Sequence, residues 1–137
     1  MPKPGDILFY ENYKFDDGSK KDKLFVVLNN ADVDTPCLVL ITTSQSERYT
    51  GVKQGCNQAQ KVFYVPKTCG EWFQLDTYIQ LPRIFEIPTG ELLDGKFKHI
   101  ISIKSSISSE CLAQLKNCLK KFKDDVSERN WKPIFHS

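Results

Sequence analysis

Two clusters of side chains in this sequence have types and spacing suited to holding a phosphate. Lys20-Lys21-Asp22-Lys23 crowds ammonium groups at the head of one apolar run, and Thr42-Thr43-Ser44 ends another with a row of hydroxyls. If the two runs, residues 23–30 and 37–44, pair as antiparallel strands, the start of the first lies beside the end of the second. Cations then face hydroxyls, and both can donate to a phosphate oxygen. A little further on, Arg48, Tyr49 and Lys53 mix positive charge with an aromatic ring. That mixture can neutralise a polyanion while stacking on its unpaired bases. Each residue also has a plainer reading: Lys23 as a solvated edge lysine, Thr42 and Thr43 as good strand formers, and Arg48, Tyr49 and Lys53 as an ordinary surface loop.

Other chemistries find less support. The two histidines, His99 and His136, have no close partner at metal-ligand spacing. Asp16, Asp17, Asp22, Asp32 and Asp34 lack the alternation and closing Glu of a calcium loop, and no glycine-rich phosphate loop occurs. No metal or cofactor is expected. The five cysteines (37, 56, 69, 111, 118) are odd in number, with no CxxC pair. The N-terminus, Met1-Pro2-Lys3-Pro4-Gly5-Asp6, has no apolar h-region, so the thiols are read as reduced and the setting as cytoplasmic. Cys111 and Cys118 then serve as small core residues on a helix face.

The elements that must position these groups follow from pattern and punctuation. At 137 residues the chain suits one domain, 1–137, large enough to bury a core. Hydrophobic content of 40% with 26% charged residues is ordinary globular composition, and a net charge of +2 does not by itself argue for nucleic acid. No window approaches the roughly 18 apolar residues of a membrane span. Residues 5–10 read as a turn and a strand, and residues 11–22, with Asp16-Asp17-Gly18-Ser19, as an exposed loop delivering the lysines. Residues 23–30 and 37–44 are apolar runs rich in Val, Leu, Ile and Phe, hence buried strands, joined by a loop of turn formers at 29–36. Residues 44–60 form a second long polar loop, of the kind that is functional or disordered.

Further strands are expected at 61–65, 77–81, 84–87 and 98–103, stopped by Pro66, Pro82 and Pro88. Trp72 and Phe73 read as core or dimer interface. Short strands at this spacing favour a mainly β fold, a small barrel or sandwich. One helix is clear over about 108–126: Ser108 or Ser109 caps it, Glu110 suits its positive end, and Cys111, Leu112, Leu115, Cys118, Leu119, Phe122 and Val126 make one apolar stripe. Lys116, Lys120, Lys121 and Lys123 read as a solvated face. The tail from 127 to 137, with Trp131 and Phe135, is expected to dock on the body.

Taken in order, Pro4-Gly5-Asp6-Ile7-Leu8-Phe9, the loop through Gly18-Ser19, Lys23-Leu24-Phe25-Val26-Val27-Leu28-Asn29, and Val39-Leu40-Ile41-Thr42-Thr43 resemble the MazF/PemK toxins of toxin–antitoxin systems. Tyr64-Val65-Pro66, Thr77 to Arg83 and the closing helix fit the same order. The resemblance implies an SH3-like small barrel of about six to seven antiparallel strands with a C-terminal amphipathic helix, usually a homodimer. It implies metal-independent cleavage of single-stranded RNA and an antitoxin partner. Carried over by position, the family's loop arginine falls on Lys23 and its strand-end Thr/Ser on Thr42, which makes these the candidate catalytic pair. Lys21, Thr43, Ser44, Arg48, Tyr49 and Lys53 are the candidate RNA-binding residues. The family's Arg-Pro reads Lys23-Leu24 here, and lysine lacks the fork that clamps a phosphate bidentately. Two other functions compete. One is a non-catalytic SH3-like module binding RNA or a protein. The other is an NlpC/P60-like cysteine hydrolase, to whose Gly-Asp-hydrophobic strand residues 5–9 are similar, with Cys111 as nucleophile and His99 facing it.

Overall fold

The structure, a computed structural model, describes residues 1–44, 46–70 and 76–136, Ser46 by its backbone alone. Trp72 and Phe73 lie outside the described residues. Seven strands form one antiparallel sheet: β1 (Asp6–Lys14), β2 (Lys20–Val27), β3 (Cys37–Thr43), β4 (Gly55–Asn57), β5 (Val62–Tyr64), β6 (Tyr78–Ile87) and β7 (Ile101–Ser106). Their order across the sheet is β4-β5-β6-β3-β2-β1-β7. Helices α1 (Thr89–Phe97), α2 (Ser109–Lys120) and α3 (Glu128–Phe135) complete the fold. The mainly β expectation with a C-terminal helix holds at that level. The ladder is open, however, with β4 and β7 at its edges, and does not close into a barrel.

The central strands explain the open form. Phe25 to Leu28 and Cys37 to Ile41 are buried at every position rather than at alternate ones, as in strands covered on both faces. On one side Ile7, Val26, Leu28, Leu38, Leu40 and Ile79 pack with Leu115, Leu119 and Phe122 of the helical layer. On the other, Leu8, Phe25, Val27, Val39, Ile41 and Ile87 pack with Leu92 of α1. A barrel has a single interior; this sheet is sandwiched between two cores.

Several elements differ from the sequence expectation. The loop expected over 11–22 is largely strand, because β1 and β2 run on as a hairpin that pairs Tyr13 with Lys21 and Lys14 with Lys20. A bulge between Tyr10 and Tyr13, with Asn12 at φ 53°, adds a residue to β1. Tyr10 and Tyr13 therefore face the same side, where they pack with Phe25. The two strands expected at 77–81 and 84–87 are one strand, β6. Leu40 pairs with Ile84 and Thr42 with Ile79, so residues 80–83 lie opposite Ile41 alone. Pro82, which cannot donate to a ladder, sits in that bulge rather than at a sheet edge.

Helix α1 carries little apolar periodicity, only Leu92 and Gly95 being buried. Gly95 is needed where α1 meets β7, since a Cβ there would stand 2.5 Å from Ile101 Cδ1. Helix α2 is as expected, with Ser108 Oγ accepting from the Cys111 N–H at 3.2 Å. The tail docks as α3: Ile134 is buried, and Lys116 Nζ donates to its carbonyl at 3.1 Å. Lys120 and Lys123 lie over the Phe135 and Trp131 rings at 5.5 and 5.7 Å, so they cover apolar surface as well as face solvent.

The cysteines depart most from expectation. Cys56 is bonded to Cys118 and Cys69 to Cys111, with Cα–Cα distances of 5.5 and 5.6 Å, inside the usual range. Four of the five are therefore not reduced thiols, and α2 is tied at two points, to β4 and to the turn at Lys67–Cys69. Only Cys37 is free; it is buried, and that burial pushes its thiol up to about 12. With Cys111 buried in a disulfide, the cysteine-nucleophile reading has no thiolate to use.

Candidate functional site

The β2–β3 pairing puts the two clusters together. Phe25 pairs with Ile41, Val26 with Leu40 and Val27 with Val39. Continuing that register sets Leu24 beside Thr42 and Lys23 beside Thr43. Alternation then sorts the faces: Lys21, Lys23 and Phe25 of β2, with Ile41 and Thr43 of β3, share one side. The Thr42 side chain starts from the other. Its hydroxyl donates to the Leu24 carbonyl at 3.0 Å, so its proton is committed to holding the ends of β2 and β3 together. The hydroxyl that faces Lys23 is that of Thr43, one residue along, and a one-residue step reverses the side of a strand.

An open cleft of about 430 Å³ occupies this end of the sheet. Lys21, Lys23, Thr42, Thr43 and Arg48, all candidates from sequence, line it. Gln80 and Arg83 line it too, and sequence reading missed both. Each comes from the β6 bulge, whose extra residues turn side chains of the strand into the cleft; Pro82 was the one sequence signal for that irregularity. Three of the expected residues lie elsewhere. Ser44 is exposed past the end of β3, and Lys53 is in the turn before β4, where its backbone bonds the Asn57 side chain. Tyr49 stands beside the cleft and receives a hydrogen bond from Gln80 Nε2 at 3.4 Å.

The charge balance of the lining is positive. Lys21, Lys23, Arg48 and Arg83 face Asp16 and Asp17 of the β1–β2 turn. Neither acid neutralises the group strongly. Asp16 meets Arg83 at 3.7 Å, but both side chains are more than half exposed, the carboxylate fully, so water screens the pair. Asp17 is occupied by the Ser19 hydroxyl and N–H at 2.6 and 2.8 Å, bonds that hold its carboxyl below the usual range.

Lys23 is the least solvated of the cations. Its side chain is half-buried, with the ammonium 5.9 Å from the centre of the Phe15 ring. Burial first, then the neighbouring Lys21 and Arg48 charges, lower its pKa from 10.5. A cation in partly desolvated surroundings, with like charges beside it and no ion pair among the described residues, is a site prepared for an anion. Among the described residues no group of three or more His, Cys, Asp or Glu side chains is arranged to hold a metal ion. Nor is any helix among them long and apolar enough to cross a membrane.

Comparison of the chain with protein-family models, with curated proteins and with solved structures gives no match.

Proposed function

We propose that the cleft binds single-stranded RNA and that the protein is a toxin-like, metal-independent endoribonuclease. The observation that carries this reading is the convergence of Lys21, Lys23, Arg48 and Arg83 on one open cavity, beside tyrosines able to stack on bases. In the reaction the ribose 2′-oxygen bonds to the adjacent phosphorus and the P–O5′ bond breaks. The products are a 2′,3′-cyclic phosphate and a 5′-hydroxyl. The 2′-hydroxyl proton must leave, O5′ must gain one, and the crowded phosphorane carries extra negative charge. In this reading Lys23 stabilises that charge, with Arg48 and Arg83 lining the same cleft. Burial and the Lys21 and Arg48 charges lower the pKa of Lys23 from the ordinary lysine value, the direction a proton-transfer role requires. Thr42 acts by fixing the strand end that carries Lys23 and not by donating to the phosphate.

The toxin–antitoxin setting, the homodimer and the SH3-like connectivity belong to the same proposal and rest on the resemblance. So does a cytoplasmic location, against which the two disulfides stand, because disulfides are rare in a reducing cytoplasm. One observation favours the second reading, a module that binds RNA without cutting it: neither His99 nor His136 lines the cleft, and the cleft's buried hydroxyl, Thr42, is spent on Leu24. The two readings part in one assay. Purified protein is incubated with a mixed RNA pool in chelator-containing buffer, wild type against Lys23→Ala. Cleavage by the wild type alone supports the enzyme; salt-sensitive retention of intact RNA supports the binding module. Expression of the active chain arrests growth, and Lys23→Ala relieves it.

A further inference from the structure

Next to the cations the same end of the sheet carries an aromatic row. Strand pairing sets Thr43 beside Tyr78, Tyr78 beside Tyr64, and Tyr64 beside Gly55. Directly paired residues share a face, so this row crosses β3, β6, β5 and β4. The Tyr64 and Tyr78 ring centres are 4.6 Å apart. Tyr49, delivered by the helical turn at Ser46–Tyr49, stacks on Tyr78 at 5.0 Å with the rings 30° apart.

Tyr78 is buried at the base of the row, while neither Tyr49 nor Tyr64 belongs to either hydrophobic cluster. Tyr64 and Tyr49 are only half-buried. At the far end of the row Gly55 has no side chain, and a Cβ there would meet nothing within 4 Å among the described residues. The stack is joined to the cleft through Gln80, which lines the cavity and bonds Tyr49 Oη. A hydrogen bond to Asp76, then burial, push the Tyr64 phenol up to about 12, so it keeps its proton even in mildly alkaline solution.

We propose that Tyr49, Tyr78 and Tyr64 form a base-binding subsite, which takes one unpaired nucleobase of an RNA strand whose adjoining phosphate lies against Lys23, with the Gln80 amide at the base edge. The inference rests on the RNA reading above and adds to it the place of the base. Charge decides the occupant: a cationic cleft continuous with stacked neutral rings matches alternating phosphates and bases, whereas a peptide would find one end of the site electrostatically hostile unless it were acidic.

The experiment is a binding titration with oligoribonucleotides carrying 2′-O-methyl groups, so that nothing is cut, repeated over a range of salt. Tyr49→Ala weakens binding about 5- to 150-fold with the slope of log Kd against log salt unchanged, while Tyr49→Phe stays near wild type. Lys23→Met instead lowers the slope by about 0.7. An abasic position scanned along the oligonucleotide weakens wild-type binding at one place, and Tyr49→Ala is indifferent to it there. A flat abasic scan with a normal salt slope overturns the base subsite and leaves RNA binding standing. Failure of the wild type to bind any oligoribonucleotide overturns both.

Discussion

Replacing Lys23 with methionine removes the charge and keeps the unbranched stem beside Phe15. The geometry gives this change opposite effects on stability and binding. In the free protein the ammonium is half-buried among Lys21 and Arg48, and no carboxylate lies within ion-pairing distance of it among the described residues. Its pKa is lower folded than unfolded, so folding disfavours the protonated form. At neutral pH that penalty is present in full, and it fades as pH rises from the folded pKa towards 10.5. Lys23→Met therefore raises stability modestly at pH 7, and the gain fades as the pH approaches 10.5.

Binding moves the other way. A charge-assisted contact to a phosphate contributes about 1.5–3 kcal/mol, which is roughly 10- to 150-fold in Kd. Relief of repulsion on Lys21 and Arg48 offsets part of it, so the lower half of that range is expected. Wild-type affinity for RNA likewise falls as alkali deprotonates Lys23 at a pH below 10.5. Thermal or urea unfolding at pH 7 and pH 10, beside fluorescence-anisotropy titration with a single-stranded oligoribonucleotide, reads both effects. If Lys23→Met loses more than about 1 kcal/mol of stability while RNA binding is unchanged, the lysine is structural and the reasoning fails.

Three further outcomes follow from the packing. The disulfides close separations of 62 and 42 residues; chain-entropy arithmetic gives about 4 kcal/mol for each, so Cys56→Ser and Cys69→Ser each lower the urea midpoint strongly, and the native oxidised protein shows no thiol to a thiol reagent until Cys37 is exposed by denaturant. Gly95→Ala drives a methyl against Ile101 and costs about 1–3 kcal/mol in chemical denaturation, without altering RNA affinity. Thr42→Val leaves the Leu24 carbonyl short of a donor and costs about 1–3 kcal/mol; Thr42→Ser restores it, and cleavage rates of the folded variants track stability rather than the hydroxyl's presence.

The sequence made the centre of the fold legible and the periphery much less so. Strands β2 and β3 and helix α2 announce themselves because their apolar runs and cap are strong local signals, and the β2–β3 pairing brings Lys21, Lys23 and Thr43 to one place. Helix α1 was hidden by two glycines, Gly90 and Gly95, one of which is there for its close approach to Ile101. The extension of β1 was hidden by the bulge that breaks its alternation, and the unity of β6 by Pro82. Gln80 and Arg83 could not be assigned to the cleft without the register that the bulge creates. The cysteine connectivity is set by which elements meet in space, a fact that spacing along the chain does not contain.

Cleavage of one short RNA and of its all-DNA counterpart, in chelator-containing buffer with products resolved by end group, puts the central claim at risk most directly. The account predicts that the RNA yields a 2′,3′-cyclic phosphate and a 5′-hydroxyl, and that the DNA, lacking the attacking oxygen, is bound but left whole. RNA recovered intact at enzyme excess, or DNA cut as readily as RNA, would contradict it.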